Sequence, residues 1–263
     1  MMLFFIGQVF PYLAAGVFIV GMIWRVGTWL RVPVPFQLTL SPAPVTTSGR
    51  IWTVGRELLL FSSLWRGDRG LWLWAWLMHV TLAMASVGHI VGISSLGLQF
   101  TAMGVTATQS KALSALMGTG TGLVLFAALF VLLYRRTAIP EVKRLSDPAE
   151  YFDLLLILAI VISGLHMRVT SLEVDLVAIR TYMGGILSLQ PTAIPHEWIF
   201  VSHFFLVNVL LIYIPFSKLV HLAGSFVNRT MLVAAPPVYP TPHTSSVSNN
   251  SSNVRLWEGG NSQ

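Results

Sequence analysis

The sequence of 263 residues contains no cysteine and few charged residues. Without cysteine the chain can form no disulfide, hold no iron–sulfur cluster, attach no haem through thioether links and use no thiol in catalysis. Histidine and methionine, with seven and ten residues, are therefore the candidate ligands for a redox cofactor. Only 10% of the residues are charged, against about 25% in soluble domains, which is too few to cover a water-facing surface.

Long apolar runs account for this low charge, and hydrophobic residues make up 54% of the chain. A segment needs about 20 apolar residues to cross about 30 Å of hydrocarbon. We expect membrane spans at Leu3–Trp24, Leu71–Ile93, Leu113–Tyr134, Tyr151–Met167 and Trp198–Val220. The sequence therefore predicts an all-α integral membrane protein, with a bundle of five transmembrane helices in residues 1–230.

Basic residues are concentrated in one set of loops. Six Arg lie in residues 25–70, four basic residues lie in residues 135–150 and three follow from Lys218 onward, which makes thirteen on one side. The other side has only Lys111, Arg168 and Arg180. Because loops rich in Lys and Arg stay in the cytoplasm, we predict an outer N-terminus, a cytoplasmic C-terminus and a multi-pass location in the cell inner (cytoplasmic) membrane.

Two stretches outside the spans have distinct compositions. Proline and β-branched residues in 32–56 predict an extended segment of a cytoplasmic loop at 25–70, followed by a short interfacial helix near 54–65. Residues 231–263 are rich in Ser, Asn and Pro and predict a flexible cytoplasmic tail. The loop can dock a soluble subunit or contact lipid phosphates through its basic side chains, which are Arg50, Arg56, Arg66 and Arg69.

Two spans each carry a pair of histidines, and an ionisable side chain within a span is a functional hypothesis by default. His79 and His89 lie in the second span, and His203 and His221 in the fifth. Since these spans run in opposite directions, His79 and His221 fall at the cytoplasmic level, and His89 and His203 at the outer level. One histidine from each helix at each level is what two stacked, bis-histidine haems require.

The spacing of these histidines differs between the two helices. In one continuous helix, the eighteen residues from His203 to His221 span about 27 Å, whereas the ten from His79 to His89 span about 15 Å with a rotation of roughly 80°. Helix tilt or a kink near Pro215 has to absorb the difference.

Two alternatives stay open at this point. If the difference in spacing is not absorbed, His166 at the outer end of the fourth span is the rival outer ligand. In a haem-free anchor or transporter, the same histidines would relay protons or pack against neighbouring helices. Glycines near these levels suit either a flat macrocycle or plain helix packing, and they are Gly88, Gly92, Gly118, Gly120 and Gly122.

Three segments resemble the first, second and fifth helices of the respiratory nitrate reductase gamma subunit, namely PYLAAGVFIVGMIWR, LMHVTLAMASVGHIVGI and SHFFLVNVLLIYIPFSKLVHLAG. That family has two histidines ten apart on helix two and two histidines eighteen apart on helix five. The resemblance implies two b haems, with His79 and His221 as axial iron ligands of the cytoplasmic haem. It likewise implies His89 and His203 as the ligands of the outer haem.

The segments at 40–79 and 174–191 are similar to the membrane cytochrome b subunit of the dissimilatory sulfite reductase-linked complex. The whole resemblance covers about residues 8–230. It implies electron exchange between quinone and a cytoplasmic iron–sulfur subunit similar to heterodisulfide reductase. Further implied partners are a periplasmic multihaem cytochrome c and a second membrane subunit, besides the lipid bilayer, and no nucleic acid is expected. The chain would be an enzyme only as the quinone-reactive subunit of such an oxidoreductase, and a nitrate reductase-type complex is the alternative.

A site for menaquinone or ubiquinone is expected beside the outer haem, where water can exchange protons. Lys111 lies at the outer start of the third span, where the nitrate reductase family has a lysine close to its quinone site. The alternative is an interfacial lysine that only extends toward water. Arg168 and His166, at the outer end of the fourth span, are the next candidates, and His196 in the outer loop could relay protons.

Overall fold

A computed structural model of the chain describes residues 1–31, 44, 46–93, 95–170 and 175–234, without the side chains of Leu222 and of residues 229–234. Within these ranges the helices in chain order are α1 (Met2–Arg31, with a π-helical turn at Phe5–Val9), α2 (Thr47–Leu60), α3 (Ser62–Gly67), α4 (Arg69–Gly92), α5 (Ala107–Ala138), α6 (Pro140–Leu145), α7 (Pro148–Val169), α8 (Leu176–Leu187), α9 (Trp198–Tyr213) and α10 (His221–Ala234). Five helices are long and apolar enough to cross a membrane, namely α1, α4, α5, α7 and α9, where α9 is counted together with a short extension to Phe216. The five predicted spans are confirmed.

Capping side chains determine where several spans begin. The first backbone N–H groups of a helix lack partners within it, so a polar side chain just before the helix stabilises its start. Thr106 and Gln109 form a reciprocal capping box at α5, and Asp147 and Glu150 form another at α7. Such caps place the starts of α5 and α7 several residues before the apolar runs from which the spans were predicted.

Neighbouring spans pack in the order α4, α5, α7, α9 and α1. At one end of the bundle, Arg135 forms an ion pair of 2.8 Å with Asp68, and Lys218 forms one of 2.9 Å with Glu150. We call this the basic end. The backbone N–H of Leu71, together with the charge of Arg135, holds the pKa of Asp68 below its usual 3.8, although burial acts in the opposite direction.

The opposite end of the bundle is closed by α8. The Tyr182 hydroxyl donates to the Gly7 carbonyl at 2.6 Å, and burial raises the pKa of this hydroxyl. The Tyr12 hydroxyl donates to the Ile186 carbonyl at 3.0 Å, so α1 and α8 are joined twice. A buried cluster ties α8 to the start of α9, and its members are Ile179, Tyr182, Ile194 and Phe200.

At the basic end, the predicted interfacial helix is two helices, α2 and α3, which are separated at Phe61. The indole N–H groups of Trp72 and Trp76 donate to the carbonyls of Leu60 and Leu59 at 2.7 and 2.9 Å, which holds the end of α2 against α4. Phe61 has a φ of 48°, a left-handed conformation that costs a non-glycine residue about 1–2 kcal/mol.

The predictions for the stretches outside the spans have mixed outcomes. An extended conformation was expected for 32–56, but residues 47–56 are helical because Thr46 caps α2 and its hydroxyl accepts from the Gly49 N–H. Residues 32–43 and 45 lie outside the described part of the chain. The predicted tail, 231–263, begins inside α10, which continues to Ala234, and residues 235–263 also lie outside the description.

The fifth span, predicted as Trp198–Val220, is not one continuous helix, and the expected kink near Pro215 is a full break. Helix α9 ends at Tyr213, two 3₁₀ turns follow at Ile214–Phe216 and Lys218–Val220, and His221 is the first residue of α10. Pro215 has no backbone N–H and cannot continue an α-helix. The spacing of 18 helical residues between His203 and His221 therefore does not apply, and their separation is set by a broken segment.

Candidate functional site

His79 of α4 and His221 of α10 meet near the basic end. Their Nε2 atoms lie 3.5 Å apart, and their rings are nearly perpendicular, at 84°. The Phe61 ring packs edge-on against His79 with centroids 5.0 Å apart. The break after Tyr213 makes this meeting possible, because it frees the direction of α10 from that of α9.

His89 of α4 and His203 of α9 meet near the opposite end. Their ring centroids lie 6.2 Å apart with an angle of 23° between the planes. The two histidines of α4 are ten residues apart, which places the two pairs at levels separated by about 15 Å along that helix. Each pair therefore joins α4 to a helix near the end of the described chain, which is α10 for His79 and α9 for His89.

The Nδ1 atom of each of these four histidines contacts a backbone carbonyl. The distances are 2.7 Å from His79 to Ala75, 2.6 Å from His89 to Ala85, 3.1 Å from His203 to Ile160 and 2.9 Å from His221 to Lys218. A carbonyl oxygen only accepts hydrogen bonds, so Nδ1 carries the proton and Nε2 keeps its lone pair. Metal-binding histidines are oriented in this way by partners behind them.

Helix α7 forms a seat for His203. The Ser163 hydroxyl lies 3.0 Å from Nδ1 of His203, beside the Ile160 carbonyl. A Cβ at Gly164 would lie 3.2 Å from Cε1 of His203, so glycine lets the imidazole lie against the α7 backbone. Ser163 and Gly164 were not predicted from the sequence, since both are about forty residues from His203 and no sequence motif links them to it.

The geometry of the His79–His221 pair fits a metal ion between two imidazoles. A metal ion about 2.0 Å from each of two imidazole nitrogens holds these nitrogens about 4 Å apart, close to the 3.5 Å between His79 and His221. Among the described residues, α4 and α9 do not pack extensively against each other. Within the described residues, no group of three or more metal-binding side chains occurs.

The glycines singled out from the sequence have different surroundings. A Cβ on Gly88, next to His89, would meet no atom within 4 Å, so open space lies beside the outer pair. By contrast, Gly118 and Gly122 are covered by Arg168 and Leu165 of α7, at 2.9 and 2.7 Å from an ideal Cβ. These two glycines therefore serve helix packing.

The candidate quinone residues lie at the opposite end of the bundle. Lys111 is exposed in the first turn of α5, and its Cγ would lie 3.5 Å from a Cβ at Gly97. His166 is exposed in the last turn of α7, with its ring centroid 5.7 Å from that of Trp198. The Arg168 guanidinium lies over Gly118, and His196 is exposed in the loop before α9. His166 is in neither imidazole pair.

Comparisons with known proteins agree on one family. The family model described as nitrate reductase gamma subunit matches residues 60–237. A protein of Archaeoglobus fulgidus, named Hdr-like menaquinol oxidoreductase cytochrome b-like subunit, is 30% identical over 265 aligned residues, which cover 85% of this chain and 78% of that protein. A protein of the same name from Archaeoglobus profundus is 26% identical, with 84% of this chain and 76% of that protein covered.

Proposed function

This chain belongs to the nitrate reductase gamma subunit family, and from that membership we propose that it is the di-haem b membrane subunit of a quinone-linked oxidoreductase. Its role as a multi-pass membrane cytochrome b in electron transfer follows from the family. The proposal of two haems is carried by one observation: two histidine pairs in which all four Nδ1 atoms contact carbonyls, so that all four Nε2 atoms can bind iron.

The residues of each pair have separate tasks in this proposal. Nε2 of His79 and His221 would bind iron near the basic end, and Nε2 of His89 and His203 would bind it near the opposite end. The carbonyl behind each Nδ1–H makes the imidazole a stronger ligand and holds its orientation. Bound haem supplies one-electron chemistry. Two levels about 15 Å apart along α4 then allow electrons to cross the bilayer in two stages.

We place quinone oxidation or reduction beside the His89–His203 pair, with menaquinone as the substrate because the relatives' name contains menaquinol. Lys111, His166 and Arg168 are the basic side chains of α5 and α7 at this end. A cationic donor stabilises a quinone oxygen that gains negative charge during reduction. Water is accessible at this level, so protons can be exchanged there as electrons pass singly to the haem level.

The partner is proposed to be a cytoplasmic iron–sulfur subunit, docked at the basic end. This orientation, with the N-terminus outside in the inner membrane, follows from the thirteen basic residues predicted on the cytoplasmic side. Phe61 joins α2 to α3, which carry Arg50, Arg56 and Arg66, and its ring touches His79. Electrons near His79 therefore need to travel only a short way to a protein bound on these helices. Such a partner is required because the chain has no cysteine with which to hold a cluster of its own.

Two complexes suit such a subunit. The relatives' designation as Hdr-like favours a partner similar to heterodisulfide reductase and the sulfite reductase-linked complex of sulfur metabolism, in which a periplasmic multihaem cytochrome c and a second membrane subunit would join. The match to the nitrate reductase gamma subunit family favours the second candidate, a respiratory nitrate reductase-type complex. Identifying the subunits that co-purify with the chain distinguishes the two.

The deciding experiment is the haem content and redox-difference spectrum of the purified complex. We expect two non-covalent haem b groups for each copy of this chain, extractable by acid acetone because the chain has no cysteine for thioether links. A spectrum without a Soret band would support the haem-free anchor or transporter. Full occupancy at one haem would show that one of the two pairs is only structural.

A further inference from the structure

A wide-open cavity of about 660 Å³ lies on the surface at the basic end, between the end of α1 and the broken fifth span. It borders His221 on the side of α1, and neither His79 nor any other residue of α4 lines it. Its size falls within the range of about 300–1,000 Å³ that is usual for small-molecule sites. The residues that define its chemistry are Arg25, Trp29, Tyr213, His221, Ser225 and Asn228.

Aromatic side chains form much of the wall of this cavity. Trp29 packs on α10 at Gly224, where a Cβ would lie 3.2 Å from the indole, so glycine permits this close contact. The Arg25 guanidinium lies 5.8 Å from the centroid of the Trp29 ring, in a cation–π arrangement. Tyr213 packs edge-on against Phe152 with centroids 4.9 Å apart. Both aromatic rings are therefore held by neighbouring groups, and a flat ring in the cavity can contact them.

A buried acid lies behind the cavity. Asp153 of α7 is only 7% exposed, and its Oδ1 atom has no hydrogen-bond partner among the described residues. The Tyr213 hydroxyl lies near this carboxyl group. An acidic side chain within a membrane span is costly and is by default a functional hypothesis. When the Tyr213 hydroxyl donates to Asp153, its oxygen is oriented to accept a hydrogen bond from a molecule in the cavity.

The charges of the lining suit a neutral ring better than a phosphate group. Lys218 lies 2.9 Å from Glu150 and 3.8 Å from Asp147, so its charge is balanced by two carboxylates. Arg25 is the other cation of the lining. The lining thus offers one further cation, two aromatic walls and uncharged donors from Ser225 and Asn228. These groups match a ring with two polar oxygens.

We propose that this cavity binds the ring of a membrane quinone or quinol beside the inner haem, as a second site in addition to the one near Lys111. The proposal rests on the proposed function, because it needs a haem at His79 and His221. Reduction of a quinone there would take two electrons, one at a time from the inner haem, and two protons from the cytoplasmic side, and oxidation of a quinol would return them. Tyr213, which lines the cavity in front of Asp153, can hold one hydroxyl of the quinol.

The test counts binding sites on the purified complex in nanodiscs. The probe is 2-heptyl-4-hydroxyquinoline N-oxide, a fluorescent quinone analogue whose emission is quenched on binding. We expect two probe molecules per chain in the wild type and one in Ser225→Phe, which extends a ring into the cavity where the probe would lie. Tyr213→Phe keeps the ring against Phe152 and should weaken binding at this site about tenfold, as expected for loss of one hydrogen bond of roughly 1.4 kcal/mol.

The matched control is Tyr151→Phe, which removes a hydroxyl at the same end that donates to the Arg136 carbonyl at 3.1 Å, away from the cavity. It should still bind two probes. Haem content is measured on every sample, and fewer than two haems in the wild type would overturn the proposed function itself. Two haems with unaltered probe binding in both Ser225→Phe and Tyr213→Phe would overturn the second site alone. If Ser225→Phe fails to assemble, Tyr213→Phe decides. A phospholipid that co-purifies in place of the probe and is lost in Arg25→Ala would also overturn it.

Discussion

The Nε2 atoms of His79 and His221 lie 3.5 Å apart, although 142 residues separate the two histidines in the chain. Each ring has its Nδ1 on a backbone carbonyl, so two nitrogen lone pairs face each other. Such lone pairs repel unless a positive group lies between them. This arrangement suits the proposed role of the two imidazoles as ligands of one haem iron, and the first prediction follows from that proposal.

His79→Ala and His221→Ala should each lower the haem content from two to one per chain. Either variant removes one of two axial ligands at the basic end, whereas the His89–His203 pair at the other end keeps both. Quinol should still reduce the remaining haem, but electrons should no longer reach the soluble partner. Redox-difference spectra measure the haem content, and reduction of the soluble partner measures electron transfer to it. The control is His166→Ala, which should retain two haems. Retention of the inner haem and loss of the outer one would reverse the proposed pairing.

Ser163→Ala should alter the outer haem without affecting the inner one. The Ser163 hydroxyl lies 3.0 Å from Nδ1 of His203, and partners behind a ligand typically change metal affinity by about 10–100-fold. Because the Ile160 carbonyl remains at 3.1 Å, we expect an effect near the lower limit together with a shifted midpoint potential. A redox titration resolves the two haems. Ser86→Ala, which removes a hydroxyl that donates only to the Leu82 carbonyl, is the matched control. If the midpoint potential of the outer haem were the same in Ser163→Ala and Ser86→Ala, Ser163 would contribute only to packing.

Lys111→Ala should slow quinol-driven reduction of the outer haem by about tenfold, because one hydrogen bond to a charged group contributes roughly 1.5 kcal/mol or more. Haem content and reduction by dithionite should not change, since Lys111 lies in neither histidine pair. Stopped-flow spectroscopy of haem b absorption follows the rate of this reduction. An unchanged rate of haem reduction in Lys111→Ala would show that Lys111 is only an interfacial residue. If His166→Ala and Arg168→Ala also kept the full rate, the quinone site would lie elsewhere.

Gly21→Ala should destabilise the protein, whereas Gly16→Ala on the same helix should not. A Cβ at Gly21 would lie 2.7 Å from Cβ of Pro215, at the break that directs His221 toward His79. Overpacking of this kind costs about 1–3 kcal/mol. A Cβ at Gly16 would meet no atom within 4 Å, and alanine is the better helix former by about 0.5–1 kcal/mol. Thermal unfolding in nanodiscs compares the stability of the two variants. Loss of the inner haem in Gly21→Ala but not in Gly16→Ala would link the break at Pro215 to the His79–His221 pair. Equal midpoints would contradict the close packing of α1 on Pro215.

The sequence by itself determined the class of the protein and the existence of its five spans. Membrane insertion depends on the summed hydrophobicity of about 20 consecutive residues, and this sum is a local property that can be read without knowing the fold. His79, His89 and His203 are likewise identified by their cost inside apolar runs. The same criterion also selects His166, which is in neither pair, and does not reach His221, which lies beyond the apolar helix that ends at Phe216. The break at Pro215 was expected as a kink, because the missing N–H is also a local feature.

The tertiary structure alone decided how these histidines are held. The extent of the break, from Tyr213 to His221, depends on 3₁₀ turns whose stability comes from packing against α1 and α7. The seat of His203 on Ser163 and Gly164 joins residues that are about forty positions apart. Contacts of this kind follow from which helices are neighbours and how they are rotated, and no window of sequence contains that information because it arises from the packing of the whole bundle.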